Sequence, residues 1–186
     1  TGVMATNGDA TITAGGAINA AVDDGIADIV ANTISLTADA GGIGTTTTID
    51  VPARTQFNAD SANDQSDILI DGIGDLPLGL TTAGASGGTL TLDATLAITD
   101  ALMMPAVDAG AGAENIIGAQ ANLTAVGGIG GAGDADIDTS IDGLQATNST
   151  TGAVVVQETD GLIVNGTGVR TLGGNGEISI DVDASD

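Results

Sequence analysis

A chain of 186 residues and 17.7 kDa carries 30 glycines, 30 alanines and 25 threonines but one aromatic, Phe57, and no Trp, Tyr, His or Cys. Those absences exclude zinc, haem and iron–sulfur sites of the usual ligand types, a thiol nucleophile, a Ser-His-Asp triad and an aromatic stacking platform for bases. Two arginines against 25 acidic residues leave a formal charge of −23, which nucleic acid and anionic membrane surfaces repel, so neither is an expected partner.

High charge with few aromatics is also a mark of disorder, but 42% of the residues are hydrophobic and they come in short alternating bursts. In chain order these are Thr11-Ile12-Thr13, Ile34-Ser35-Leu36, Ile68-Leu69-Ile70, Leu90-Thr91-Leu92, Val154-Val155-Val156 and Ile178-Ser179-Ile180-Asp181-Val182. Each is bounded by Gly, Asn or Asp and reads as a strand. Two stretches carry a helical pattern instead: Ile18, Val22, Ile26 and Ile29 fall near a spacing of four, and Leu96 to Met104 is a compact apolar run. Gly25 within the first and Pro105 closing the second argue against both. The length suits one domain, and without cysteine its stability must come from packing.

The chain opens at Thr1 with no basic-then-apolar leader and holds no apolar run of about 18 residues that could span a bilayer. The expectation is a processed protein or a segment of a longer one, without membrane insertion. An acidic, Lys-free and Cys-free composition suits an extracellular or cell-surface setting.

Self-similarity is the most informative feature. Leu36-Thr37-Ala38 recurs as Leu123-Thr124-Ala125, and Gly41-Gly42-Ile43-Gly44 as Gly127-Gly128-Ile129-Gly130, 86 residues later. Ile68-Leu69-Ile70 matches Val154-Val155-Val156, and Gly87-Gly88 before Leu90 matches Gly173-Gly174 before Ile178. This reads as one domain over 1–186 with two related repeats, about 33–118 and 120–186, behind an N-terminal rung over 1–32. Strand bursts begin near residues 11, 33, 67, 89, 121, 153 and 177, a spacing that suits the rungs of a β-solenoid. One rung cannot bury its own apolar face, but stacked rungs align Ile, Leu and Val into internal ladders. The expected fold is therefore an all-β, parallel β-helix of about seven rungs. The competing architecture is an antiparallel β-sandwich or jelly roll, whose core would normally hold more than one aromatic.

The run Ile137-Asp138-Thr139-Ser140-Ile141-Asp142-Gly143-Leu144, followed by Gly152-Ala153-Val154-Val155-Val156-Gln157-Glu158 and Asp160-Gly161-Leu162, resembles repeats of large bacterial surface adhesins of the filamentous haemagglutinin type. Gly8-Asp9-Ala10-Thr11-Ile12-Thr13-Ala14-Gly15-Gly16 belongs to the same idiom. The resemblance spans most of residues 8 to 182 and implies a secreted, right-handed parallel β-helix that forms rods at the cell surface. It brings no catalytic residues with it. Proteins of that type are far longer, which points to a repeat unit or a polymerising subunit.

Asp134, Asp136 and Asp138 would share one face of a strand, and Asp181 and Asp183 form a second acidic cluster. Calcium, which takes six to eight oxygens, is the cation that would suit them. They match neither an EF-hand loop, where Gln145 stands in place of the closing Glu, nor the Gly-Gly-x-Gly-x-Asp repeat, so solvated Asp turns are the competing reading. No other cofactor is expected. Thr11/Thr13, Thr33/Ser35/Thr37 and Thr89/Thr91 alternate with apolar residues like an ice-binding ladder, but later rungs break the pattern and Thr is an ordinary strand residue. Paired carboxylates are unavoidable among 25 acids, and Arg54 and Arg170 fall at unmatched points of the repeats. An enzyme is not expected; the two arginines read as partners of nearby Asp. Asn122, Asn148 and Asn165 begin N-linked acceptor triplets, and Met103-Met104-Pro105 with Phe57 reads as core or rung-end packing.

The expected function is structural. The partner is the chain itself, joined through the strand edges at Thr11, Ile12 and Thr13 and at Ile178, Ile180 and Val182, to build a filament, sheath or surface layer. The alternative is the stalk of an adhesin, calcium-stabilised and making cell-surface or matrix contacts.

Overall fold

The computed structural model describes residues 2–5, 7–61, 63, 65–84, 87–102, 114–133 and 135–183. Sixteen strands follow in order: β1 (Val3–Met4), β2 (Ala10–Ala14), β3 (Ile29–Val30), β4 (Thr33–Ala38), β5 (Ile49–Val51), β6 (Gln56–Asp60), β7 (Ile68–Gly72), β8 (Leu76–Ala83), β9 (Thr89–Ala94), β10 (Ala97–Asp100), β11 (Ile116–Ala125), β12 (Gly128–Ile129), β13 (Ile137–Asn148), β14 (Val154–Glu158), β15 (Ile163–Thr171) and β16 (Ile178–Val182). Among the described residues there is no helix. The 18–29 stretch runs through bends, and Val22 and Ile26 are exposed, so its spacing of four does not form a helix. In the second helical candidate, 97–100 is strand β10, while Met103, Met104 and Pro105 lie outside the described residues.

Every strand pairing is parallel, and strands pair with the next but one in the chain, which excludes the antiparallel sandwich. The chain winds as a β-solenoid of about seven turns. Side chains that bond to the neighbouring turn are commonly 22 to 24 residues apart. Each turn therefore contributes two strands, one to each of two ladders. The first ladder runs β2-β4-β6-β8-β10-β12-β14-β16 and the second β5-β7-β9-β11-β13-β15, with the long strands β8, β11 and β13 bending from one segment to the next.

Alternation sorts each strand into core and solvent. In β4, Ile34, Leu36 and Ala38 point in while Thr33, Ser35 and Thr37 point out. Stacking then places like on like: Leu76, Ile98, Ile129 and Val154 form one fully buried column in the first ladder. In the second, Leu90, Ala121 and Leu144 alternate large and small, which lets three turns share a thin core without voids. Phe57 stacks between Ile34 and Leu78 and is fully buried, as its apolar reading requires.

The two Gly-Gly-Ile-Gly motifs serve one local purpose. Ile43 bridges to Ile18 and Ile68, and Ile129 pairs with Ile98 and Val154; both isoleucines are buried. The closing glycines, Gly44 at φ 71° and Gly130 at φ 66°, lie against the carbonyls of Leu69 and Val155 in the next turn. Only glycine takes both the left-handed conformation and that close approach. Yet Ile43 belongs to the second ladder and Ile129 to the first, and Ile68–Ile70 and Val154–Val156 are likewise on opposite ladders. The 86-residue match thus pairs corner motifs rather than superposing turns.

Buried polar groups lie beside β10 and just before β11 and are hydrogen-bonded there. Asn115 donates to Leu78 O (3.0 Å) and Asp100 Oδ1 (2.7 Å) and accepts from the Asp138 N–H (3.0 Å).

Candidate functional site

Among the described residues, each end of the solenoid leaves strands paired on one side only, although at the first turn β1 covers β3 through Val3 N–H to Asp28 O and Ala5 N–H to Val30 O. β2 pairs on one side only, with β4, and there Thr11 and Thr13 are exposed and Ile12 is half-buried. Beside it the core opens into a cavity of about 290 Å³ lined by Val3, Ile12, Ile18, Ala20, Ile29 and Ile49. At the opposite end β15 pairs only with β13 and β16 only with β14. Ile178 is 45% exposed, whereas Val154, in register beside it, is 0% exposed. Ile163, Val164, Leu172 and Val182 are exposed on the same last turn, and Ile180 packs against the core from its edge. The two sequence-derived edges, Thr11–Thr13 and Ile178–Val182, are thus the two terminal strands of one ladder.

Among the described residues, the acids singled out in the sequence lie on neighbouring turns near the last end of the solenoid. Asp136 and Asp181 line a groove of about 310 Å³ together with Glu177. Asp138 is in register with Gln157, and Gln157 with Asp181. The Gln157 side chain donates to Asp183 Oδ2 (3.2 Å). Asp134 lies outside the described residues. Among the described residues no three carboxylates converge as ready-made metal ligands. Arg170, expected beside an Asp, donates its Nε–H to Thr147 Oγ1 (3.2 Å).

A row that sequence reasoning missed lies on the outside of the second ladder. Asp50, Asp71 and Asp93 occupy equivalent positions in three successive turns. Asp28 joins them: its Oδ2 accepts from the Asp50 N–H (3.0 Å), and its own N–H donates to Asp50 O (2.9 Å). Beyond Asp93 the row continues through Thr124 and Thr147 to Arg170. Gly25, in the bend after Asp23 and Asp24, donates a backbone hydrogen bond to the Asp50 carboxylate. A half-open cavity of about 280 Å³ lies there, lined by Asp50, Asp71, Asp93, Gly25, Ile73 and Thr95, with Asp93 exposed at its rim.

Like charges one strand apart repel, and the row shows it. Burial first, then Asp93, Asp50 and Asp23, push the Asp71 carboxyl up to about 6. Burial followed by Asp28, Asp23 and Asp24 raises Asp50, and burial raises Asp93. The signal available in the sequence was an Asp recurring once per turn, which becomes visible only when the turn length is known.

Comparison with known proteins finds no matching family model, no matching curated protein and no matching solved structure.

Proposed function

We propose that the chain is an extracellular structural rod whose copies associate end to end, the last turn of one seated on the first turn of the next. The observation that carries this reading is the contrast along one ladder: Val154 is sealed, while Ile178, one turn on, is 45% exposed on an unpaired edge. The first turn offers what that edge lacks, an open strand at Thr11–Thr13 and an apolar cavity beside Ile12. Stacking would continue both ladders and hydrogen-bond two edges that otherwise face water. Charge supports the same polarity, because Arg170 lies on the last turn and Asp23, Asp24 and Asp28 lie near the first. Burying an exposed Ile, Leu or Val fully contributes about 1.5–3 kcal/mol, so several such residues, together with backbone pairing, can offset the cost of association, about 4–15 kcal/mol. The resemblance to surface-adhesin repeats and the acidic, Lys-free composition favour the extracellular setting.

Sedimentation velocity across a concentration series, with negative-stain microscopy at the high end, tests this. The wild-type chain should form rods that lengthen with concentration. Ile178→Lys should remain monomeric with an unchanged thermal melt. A wild-type chain that stays monomeric throughout rejects self-association and leaves the adhesin-stalk reading, in which further turns of a longer chain cover the edge.

A further inference from the structure

One acidic side chain differs from the solvated carboxylates around it. Asp50 is 2% exposed, lines the cavity beside Gly25, and its Oδ2 is buried without a hydrogen-bond partner. An ionised oxygen held out of water with nothing to compensate it is costly. Here it is followed by the carboxylates of Asp71 and Asp93 in the next two turns, lining the same cavity. The only basic side chain in the row, Arg170, lies three turns beyond Asp93. We propose that the Asp50–Asp71–Asp93 row is a calcium-binding site, with the ion in the cavity between carboxylates of successive turns.

The stacking favours calcium. Neighbouring strands lie about 4.8 Å apart, so carboxylates in register on successive turns can reach an ion held between them. Calcium, with its flexible geometry, tolerates such a stacked set, whereas magnesium demands a near-ideal octahedron. The ion would bridge two turns at a time, since no three carboxylates converge among the described residues. Asp23 and Asp24 are near enough to act electrostatically on Asp50 and add to the negative field at the cavity. Water completes the six to eight oxygens that calcium takes. Burial raises the carboxyls of Asp50, Asp71 and Asp93, with neighbouring carboxylates adding to it at Asp50 and Asp71, and a bound cation would oppose both effects.

Calorimetric titration of Ca²⁺ into the full chain, near neutral pH and at physiological ionic strength, tests the site. Saturable binding should weaken by more than about tenfold in Asp71→Asn and Asp93→Asn, since even indirect partners of a metal are worth about 10- to 100-fold. Asp181→Asn, in the other acidic groove, should bind as wild type does, and Mg²⁺ should bind more weakly than Ca²⁺. Asp71→Asn should melt in chelator at or above the wild-type temperature, which separates loss of the ion from loss of the fold. Equal weakening in Asp71→Asn and Asp181→Asn, equal binding of Mg²⁺ and Ca²⁺, or no saturable binding overturns the proposal; the first two would mean diffuse screening of the −23 charge.

Discussion

Gln120 and Asn165 hydrogen-bond to each other across an intervening turn. The Gln120 Nε2 donates to Asn165 Oδ1 (3.1 Å), and Asn165 Nδ2 donates back to Gln120 Oε1, between residues 45 positions apart. The turn between them contributes Gly143, in register with Gln120. A methyl group there would fall on Gln120 Oε1 and Asn165 Nδ2. Glycine is thus required by the amides it lets meet, and the pair clamps the last turn to the one two below. Gly143→Ala should lose about 1–3 kcal/mol of stability through overpacking, and Gln120→Ala about 1 kcal/mol through the lost bonds. Urea unfolding followed by circular dichroism measures both; a Gly143→Ala midpoint equal to wild type would show that the two side chains simply move aside.

Glu158 should make stability depend on pH. It is fully buried, its Oε2 receives the Thr139 hydroxyl (2.6 Å) and its Oε1 the Ile141 N–H (3.2 Å), yet burial outweighs those bonds and raises its pKa. A carboxyl raised on folding favours the folded state while protonated. Its contribution is complete below the unfolded value of 4.5 and is lost as pH rises through the higher folded value. Glu158→Gln removes the charge and keeps the shape. Its amide can donate to Thr139 Oγ1, whose hydroxyl then donates to Gln157 O (3.0 Å). The variant should equal or exceed wild type at pH 7 and show a shallower fall in urea midpoint as pH rises above 4.5. Parallel pH profiles for the two proteins would remove Glu158 as the cause.

The bursts around Ile34, Ile68, Leu90, Val154 and Ile178 are legible in the sequence because each alternates Ile, Leu or Val with polar residues, and all became strands. The strands Gln56–Asp60 and Ile163–Thr171 are not, since amides, glycines and an arginine dilute their apolar positions. Missing them skips one turn of the first ladder at β6 and one turn of the second at β15, which stretches the apparent rung to as much as 34 residues. The edges at Thr11 and Ile178 could be named from the sequence, because a terminal strand looks like an internal one. The Asp50–Asp71–Asp93 row could not, because an Asp spaced by one turn has meaning only after the register is known.

Asn115 ties three segments of the solenoid together. Its amide holds Leu78 O, the Asp100 carboxylate and the Asp138 N–H together, and its own carbonyl accepts from Thr81 N–H (2.8 Å). Asn115→Ala removes three hydrogen bonds, at about 1 kcal/mol each, while Leu78 O keeps the Ala101 N–H (2.8 Å) and Asp100 Oδ1 the Leu102 N–H (2.7 Å). Asn115→Asp keeps the acceptor but sets a second carboxylate beside Asp100. Alanine should lower the unfolding free energy by about 2–4 kcal/mol, and aspartate should be worse at pH 7 than at pH 4 if Asp100 is the partner that matters. An alanine variant within 0.5 kcal/mol of wild type, roughly the scatter of surface substitutions, would mean that water replaces the amide.

End-to-end association predicts a particular salt dependence. Arg170 reaches Thr147 on an exposed part of the last turn. In a stacked pair it would approach the acidic residues near the neighbour's first turn, Asp23 and Asp24 among them, a place where two chains of charge −23 can attract. Arg170→Glu reverses that contact without touching the core, so the monomer's melting temperature should hold while the concentration for half-association rises. The difference should be largest at low salt and shrink toward 1 M, as the Debye length falls from about 10 Å at 0.1 M to about 3 Å. Wild-type association itself should strengthen with salt, because screening relieves the repulsion between the remaining charges. Sedimentation velocity across a salt series separates these effects. If Arg170→Glu associates like wild type at every salt concentration, Arg170 lies outside the contact, and an end contact would have to rest on Ile163, Leu172 and Ile178 alone.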